Sequence, residues 1–314
     1  MSSPENSQRF GEDKDSNPIF VLPKSLGASW DRRAPGFFAL ADCLRLRKLF
    51  LLLVAGFIAG QTFAAEANTP SDRATDFLPA LTNGQQWKLT WHDEFNDAQI
   101  NANKWEIMGD WKRRDDWWVK EDSYLDGKGN LVIRTKQTPE RRSSGGIRTK
   151  GKFEHAFGCY VARMQLQKQP GHWTAFWLMS DSVFKVGDDG RDGTEIDICE
   201  FPYLDGRYEM NMHWDGYGRA HKRTGKKATV PGITEGFHTF ALWWSPTEYV
   251  FYCDGKEQWR TTAGGVSQQP EYIKFSAEIG KWAGDLAQAK LPDHFLVDYV
   301  RVYDVVAPTN APSK

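Results

Sequence analysis

The chain has 314 residues and a formal net charge of −1, with 26% of its residues charged, so it carries neither the basic footprint of a nucleic-acid binder nor an acidic solvating tail. Hydrophobic residues make up 40% and aromatics 14%, including 14 tryptophans, which fills a core and leaves rings over for a surface. The first informative segment has Arg45, Arg47 and Lys48 ahead of an apolar run from Leu49 to about Gly60, followed by small residues. That is the order of a secretory signal peptide. The run is shorter than the roughly 20 residues of a comfortable permanent span. A secreted or periplasmic product is therefore expected, cleaved after Ala64 or Ala67, with a non-cleaved anchor as the other reading. The polar preface over 1–43 is long for such a leader, and no Met falls between Met1 and Met108, so an over-long start is expected.

Beyond the leader, short runs rich in β-branched and aromatic residues follow one another. They are WKLTW from Trp87, LVIRTK from Leu131, CYVARMQL from Cys159, AFWLM from Ala175, EIDICEF from Glu195, HTFALWW from His238, EYVFYC from Glu248 and FLVDYVRVY from Phe295. Turn pairs such as Asp126-Gly127, Asp254-Gly255 and Gly264-Gly265 separate them, and helical periodicity is almost absent. The pattern predicts an antiparallel all-β sandwich or jelly roll, with a hairpin turning at Asp254-Gly255. Strict alternation in the last run puts Asp298 on one face with Val300 and Val302, which calls for a rim position or a partner, a structural cation being one candidate. Cys43 lies in the leader, and Cys159, Cys199 and Cys253 allow at most one bridge. Buried small apolar side chains are the simpler expectation.

The stretch EIDICE concentrates three acids. In a regular strand Glu195, Asp197 and Cys199 would share a face and Glu200 would oppose them. One β-bulge after Asp197 shifts the phase and returns Glu200 beside Asp197, with Cys199 expected at the irregular position. Three carboxyls on one face repel one another and lose solvation, a costly arrangement unless it is used. Retaining glycoside hydrolysis uses two carboxyls roughly 5–5.5 Å apart, one nucleophilic and one acting as acid then base. A solvated acidic strand, or carboxylates gathered round a metal, would give the same six residues.

Together, DEF at Asp93–Phe95, GCYVARMQL from Gly158, HWTAFWLM from His172, GTEIDICE from Gly193 and VDYVRVY from Val297 resemble glycoside hydrolase family 16, in family order from about Trp87 to Tyr303. The resemblance implies a concanavalin-A-like jelly-roll β-sandwich with a concave substrate cleft, and retaining endo-hydrolysis of a β-linked polysaccharide. It casts Glu195 as nucleophile, Asp197 as its assistant and Glu200 as acid/base, in the bulged form of the motif found in laminarinases, agarases and carrageenases. Trp173 matches a cleft-floor platform tryptophan, with Thr174 in place of the usual Pro, while Trp177 is expected in the core. His213 matches a histidine placed near the acid/base, and Glu94 and Asp298 fall where calcium ligands are often found. The implied organisation is an N-terminal extension and signal peptide over 1–67, a linker over 68–85, a catalytic domain over 86–306 and a tail over 307–314.

The segment GDWKRRDDWWVKEDSY from Gly109 interleaves arginine with tryptophan, and Arg113 and Trp117 are the substrate-binding candidates there. Guanidinium pairs bidentately with sulfate-like groups while rings stack on sugars, so a sulfated galactan is an alternative. The first expectation is β-1,3-glucan of the laminarin type. A neutral galactan, transglycosylation and a non-catalytic carbohydrate-binding protein complete the alternatives. No cofactor is expected for catalysis, structural calcium being the one candidate ion. The expected partner is the polysaccharide, with no nucleic acid and no permanent membrane span after signal cleavage, and a monomer is expected.

Overall fold

The computed structural model describes residues 78–307, so the leader, its cleavage site, most of the linker and the tail after residue 307 lie outside the described residues. The chain runs through β1 (Gln86–Asp93), β2 (Glu106–Met108), β3 (Trp111–Arg113), β4 (Asp116–Trp118), β5 (Ser123–Leu125), β6 (Leu131–Gln137), β7 (Arg142–Ser144), β8 (Gly146–Arg148) and β9 (Glu154–His155). It continues through β10 (Gly158–Gln165), β11 (His172–Met179), β12 (Glu195–Phe201), β13 (Arg207–Trp214), β14 (Lys222–Thr229), β15 (His238–Trp244), β16 (Tyr249–Cys253), β17 (Lys256–Thr261), β18 (Glu271–Ile279) and β19 (Asp293–Val306). One sheet has the order β17-β16-β15-β10-β19-β6-β7-β4-β3, with β1 on β19 and β5 on β6. The other runs β14-β13-β12-β11-β18-β8-β2, with β9 on β18. The fold is the expected all-β jelly-roll sandwich, and each apolar run read from the sequence lies in one of its strands.

The core lies between the sheets. Tyr160, Ala162 and Met164 of β10 and Phe240, Leu242 and Trp244 of β15 meet Phe176 and Leu178 of β11, Ile196 of β12 and Ile273, Phe275 and Ala277 of β18. Alternation then dictates that the intervening residues of β11 and β18 face away from the first sheet. A separate cluster of Ala175, Trp177, Met179, Val183 and Tyr272 forms there and floors the site. The expected hairpin joins β16 to β17 through Asp254 and Gly255, both at positive φ (47° and 72°), as a type I′ turn requires. Cys159, Cys199 and Cys253 are buried free thiols, as expected.

Strict alternation fails in β19. The register against β10 shifts between Arg163↔Tyr299 and Met164↔Val297, leaving Asp298 as the extra residue of a bulge. Phe295, Val297, Val300 and Val302 all reach the core, whereas Tyr299 and Tyr303 pack on the opposite side. Asp298 therefore does not share a face with the two valines. It projects from the bulge and pairs with Arg163.

Candidate active site

β12 pairs with β11 at Met179↔Glu195, Leu178↔Ile196, Trp177↔Asp197, Phe176↔Cys199 and Ala175↔Glu200. Ile198 has no partner in that register, so it, and not Cys199, is the irregular residue against β11. Ile196, Ile198, Cys199 and Phe201 all enter the core. Two successive core-facing residues are what one bulge produces, and they bring Glu200 back to the face that carries Glu195 and Asp197. The partners of Glu195 and Glu200 on β11, Met179 and Ala175, are four residue steps apart, which puts the two Cα atoms about 13 Å apart at ~3.3 Å per residue. The two side chains can then lean toward each other across Asp197.

Each acid has its own surroundings. Glu195 lies opposite His213 of β13, and its Oε2 accepts from the Tyr217 hydroxyl at 2.5 Å. Glu200 Oε1 accepts from the Trp173 indole N–H at 3.1 Å, and Oε2 accepts from Asn211 Nδ2 at 2.8 Å. Asp197 is only 4% exposed. Burial, reinforced by the negative charge of Glu195, pushes its carboxyl well above the usual range, with Arg114 and Lys274 opposing the shift. Burial and then the Asp197 charge push Glu200 up as well. Both carboxyls are thereby biased toward their protonated forms.

The buried, ionisable Asp197 has a consequence for stability. Its folded pKa lies above its unfolded value near 3.9, so its contribution is fully present below that pH and is lost as pH rises through the folded pKa. Asp197→Asn removes the ionisation, so its melting temperature at pH 8 should exceed that of the wild type. One pKa unit corresponds to ~1.4 kcal/mol, or about 3–6 °C for a domain of this size. The gain should vanish at pH 4. Thermal unfolding at the two pH values checks it, and an equal loss at both would contradict the assignment.

His213 is placed beside Glu195 and Asp197 instead of the Glu200 end: its Nε2 is 3.5 Å from Asp197 Oδ2 and 4.0 Å from Glu195 Oε1. Its Nδ1 meets His221 Nε2 at 2.9 Å, and the two rings stack. Burial, then His213, lowers the pKa of His221, so the outer ring stays neutral and can orient the inner one. Trp173 is 3% exposed; its ring is flanked by the edge of Trp282 at 5.0 Å and by the Arg114 guanidinium at 5.2 Å. The ring offered to solvent is Trp282, at 40% exposure, which also meets Tyr203 edge-on. Trp177 is buried as expected, but it lies on the site face, with Lys274 Nζ 3.6 Å from its ring centre.

The β3–β4 hairpin divides the two candidates in the arginine-tryptophan segment. Trp111 and Trp118 are opposite each other and in edge contact, and Arg113 lies over Trp118, so these three share a face. That face turns to the acidic row. Arg113 Nε donates to Glu278 Oε1 and Arg114 Nε to Glu278 Oε2, each at 3.0 Å, and all three line the same hollow as Glu195, Asp197 and Glu200. Trp117 is opposite Lys112, on the other face, where it lines a separate surface groove beside Arg141. The structure therefore brings Arg113, but not Trp117, to the row.

Glu94 and Asp298 are each paired with an arginine. Arg301 grips both oxygens of Glu94, at 2.8 and 2.6 Å, and Arg163 pairs with Asp298. Each carboxylate already has its own guanidinium, which does not fit a calcium ligand set. Asp93, beside Glu94, holds the Trp105 indole at 2.7 Å and the Phe95 N–H at 3.0 Å, so the DEF stretch is a local brace. Sequence reasoning missed Tyr217, Asn211, Glu278, Lys274 and Trp282. Only the alternation of β13 and β18 could have pointed to Asn211, Lys274 and Glu278, as neighbours of the row on facing strands.

Known proteins share this arrangement of sheets. The structure of porphyranase B from Zobellia galactanivorans superposes with a TM-score of 0.61 at 25% identity, covering 71% of this chain and 94% of that one. That of an endo-beta-1,3-glucanase from Pyrococcus furiosus gives 0.59 at 29% identity, over 72% and 97%. By sequence the chain is 26% identical over 250 residues to a keratan-sulfate endo-1,4-beta-galactosidase of Sphingobacterium multivorum, covering 73% of this chain but only 58% of that relative. The family model described as Glycosyl hydrolases family 16 matches residues 111–301, more than half of the chain and all of the acidic row, and the chain belongs to that family.

Proposed function

We propose that the protein is a retaining endo-glycosidase that cleaves internal β-linkages of a polysaccharide, with Glu195 as nucleophile and Glu200 as acid/base. The observation that carries this reading is the bulged strand, which presents both glutamates on one face with Asp197 between them. Glu200, held neutral, gives its proton to the departing sugar oxygen as Glu195 attacks the anomeric carbon. Glu200, now ionised, takes a proton from the water that releases the glycosyl-enzyme. Asp197 supplies a neutral partner beside Glu195, so that the nucleophile carries its charge without a second ionised carboxylate against it. Tyr217 and His213 hold Glu195 from its far side.

The proposed substrate is β-1,3-glucan, which the likeness to the Pyrococcus furiosus endo-beta-1,3-glucanase supports. A sulfated galactan is the second reading: Arg113, Arg114 and Lys274 outnumber Glu278 at the β18 side of the site. The enzyme is proposed to act outside the cytoplasm, as a monomer; the leader order over 45–67 supports export, and no helix among the described residues is long and apolar enough to cross a membrane. Purified enzyme should release oligosaccharides from laminarin, with the β-anomer first in an NMR time course. Inactivity on laminarin with cleavage of porphyran, agar, carrageenan or keratan sulfate would replace the glucan reading with the galactan one. An α-anomer appearing first would refute retention.

A further inference from the structure

One ionisable group lies in the core with no part in the chemistry above. Glu271 opens β18 in the core-facing phase shared by Ile273, Phe275 and Ala277, and it is fully buried. Its Oε1 accepts from the Thr194 hydroxyl at 2.5 Å. Its Oε2 is buried outside hydrogen-bond geometry with any described side chain. Tyr160 of β10 and Tyr249 of β16 are the titratable groups that feel its charge from the core side, and Glu195 of β12 acts on it from the site side of the sheet. Burial outweighs what the Thr194 and Ser267 hydroxyls and the Thr194 N–H offer a carboxylate there, and raises the carboxyl to about 8. At neutral pH it is a neutral acid, with Oε1 as its acceptor.

Thr194 immediately precedes Glu195. Alternation points its side chain into the core while Glu195 points to the site, so whatever fixes Thr194 fixes the root of the Glu195 side chain. The residue is tied by its hydroxyl and its backbone N–H to Glu271, and by its carbonyl to the Ser180 N–H at 3.0 Å. The chain before it has no slack, because Gly193 sits at φ +139 with the Ser182 hydroxyl 2.3 Å from where a Cβ would stand. We propose that Glu271 is a positioning residue for the reaction: through Thr194 it clamps the start of β12 from the core side and sets the aim of Glu195. This rests on Glu195 being the nucleophile.

The experiment compares Glu271→Leu, Glu271→Gln and Thr194→Val on the polysaccharide. Displacements near 1 Å at a reacting group cost up to ~100-fold in rate. Glu271→Leu and Thr194→Val should each lower kcat by about ten- to a hundredfold with KM nearly unchanged. Glu271→Gln keeps an acceptor for Thr194 and should retain kcat within about threefold. The double variant Glu271→Leu/Thr194→Val should be no worse than the poorer single one, since both break one clamp. If Glu271→Leu does not fold, Thr194→Val carries the test. Wild-type kcat in folded Glu271→Leu or Thr194→Val, or a loss in Glu271→Gln equal to that in Glu271→Leu, overturns the proposal. Glu195→Ala separates the two ideas: if it stays active the nucleophile reading fails, and if it is dead while the clamp variants match wild type only the clamp fails.

Discussion

Glu195→Ala protein is expected to fold as the wild type does and to lose about 10⁴–10⁶ of kcat, the scale seen when a covalent nucleophile is removed. The side chain is partly exposed and makes no core contact, so its removal relieves like-charge repulsion on Asp197 without opening a core cavity. Added azide should restore turnover of an aryl β-glycoside. Because the anion attacks the anomeric carbon directly, in a single displacement, the glycosyl azide must be the α-anomer. Product stereochemistry is therefore the decisive readout. A β-azide from this variant would move the nucleophile elsewhere, and undiminished activity would remove Glu195 from the mechanism.

Glu200→Ala should lower kcat on polysaccharide by about 10²–10⁴, the usual range for a general acid–base group. Its effect should depend on the leaving group. An unactivated sugar needs the proton that Glu200 holds, whereas a dinitrophenyl group departs without it, so the first step on such a glycoside should survive. Azide then attacks the glycosyl-enzyme in a second displacement and gives the β-azide, the mirror of the Glu195 result. The pH profile carries an independent sign. Burial and Asp197 raise the Glu200 pKa, and the protonated form is the competent one, so wild-type kcat/KM falls as pH rises through that raised value. Glu200→Ala should lose that alkaline limb. An alkaline limb unchanged in the variant would assign it to another group.

The fold and the acidic row were legible because both rest on local patterns. Apolar runs of strand length, turn pairs with positive φ and three acids in six residues need no knowledge of what packs opposite. Even the bulge could be inferred, since only a phase shift puts Glu195 and Glu200 on one face. Its detailed position could not, because Ile198 and Cys199 are both apolar and either can face the core; the β11 register decides for Ile198. The Asp298 bulge was missed for a related reason, as valines on both sides of it read as an unbroken alternation. Trp117 was misplaced because the two-residue turn between β3 and β4 fixes which tryptophan joins Arg113, and that turn has no Gly or Pro signature: Arg114 takes the positive φ. Glu278, Asn211 and Tyr217 come from β18, β13 and the loop after β13, so their convergence is a property of the sheet order and not of any one segment. Glu94 and Asp298 show the converse, since acids at suggestive positions were already neutralised by arginines distant in sequence.

The irregularity at Ile198 also bears on how such a strand can change over generations. Losing that one residue would turn Glu195–x–Asp197–x–x–Glu200 into a strictly alternating Glu-x-Asp-x-Glu, with every carboxyl still on its original side. An indel here is thus neutral for facing, whereas elsewhere in β12 it would send half the row into the core. What it would alter is local coil: a strand one residue longer than its neighbours must bend and twist more where the surplus lies. The surplus lies between Asp197 and Glu200. Motif length in this strand is therefore a dial on the curvature of the sugar track, adjustable without disturbing the acids that line it.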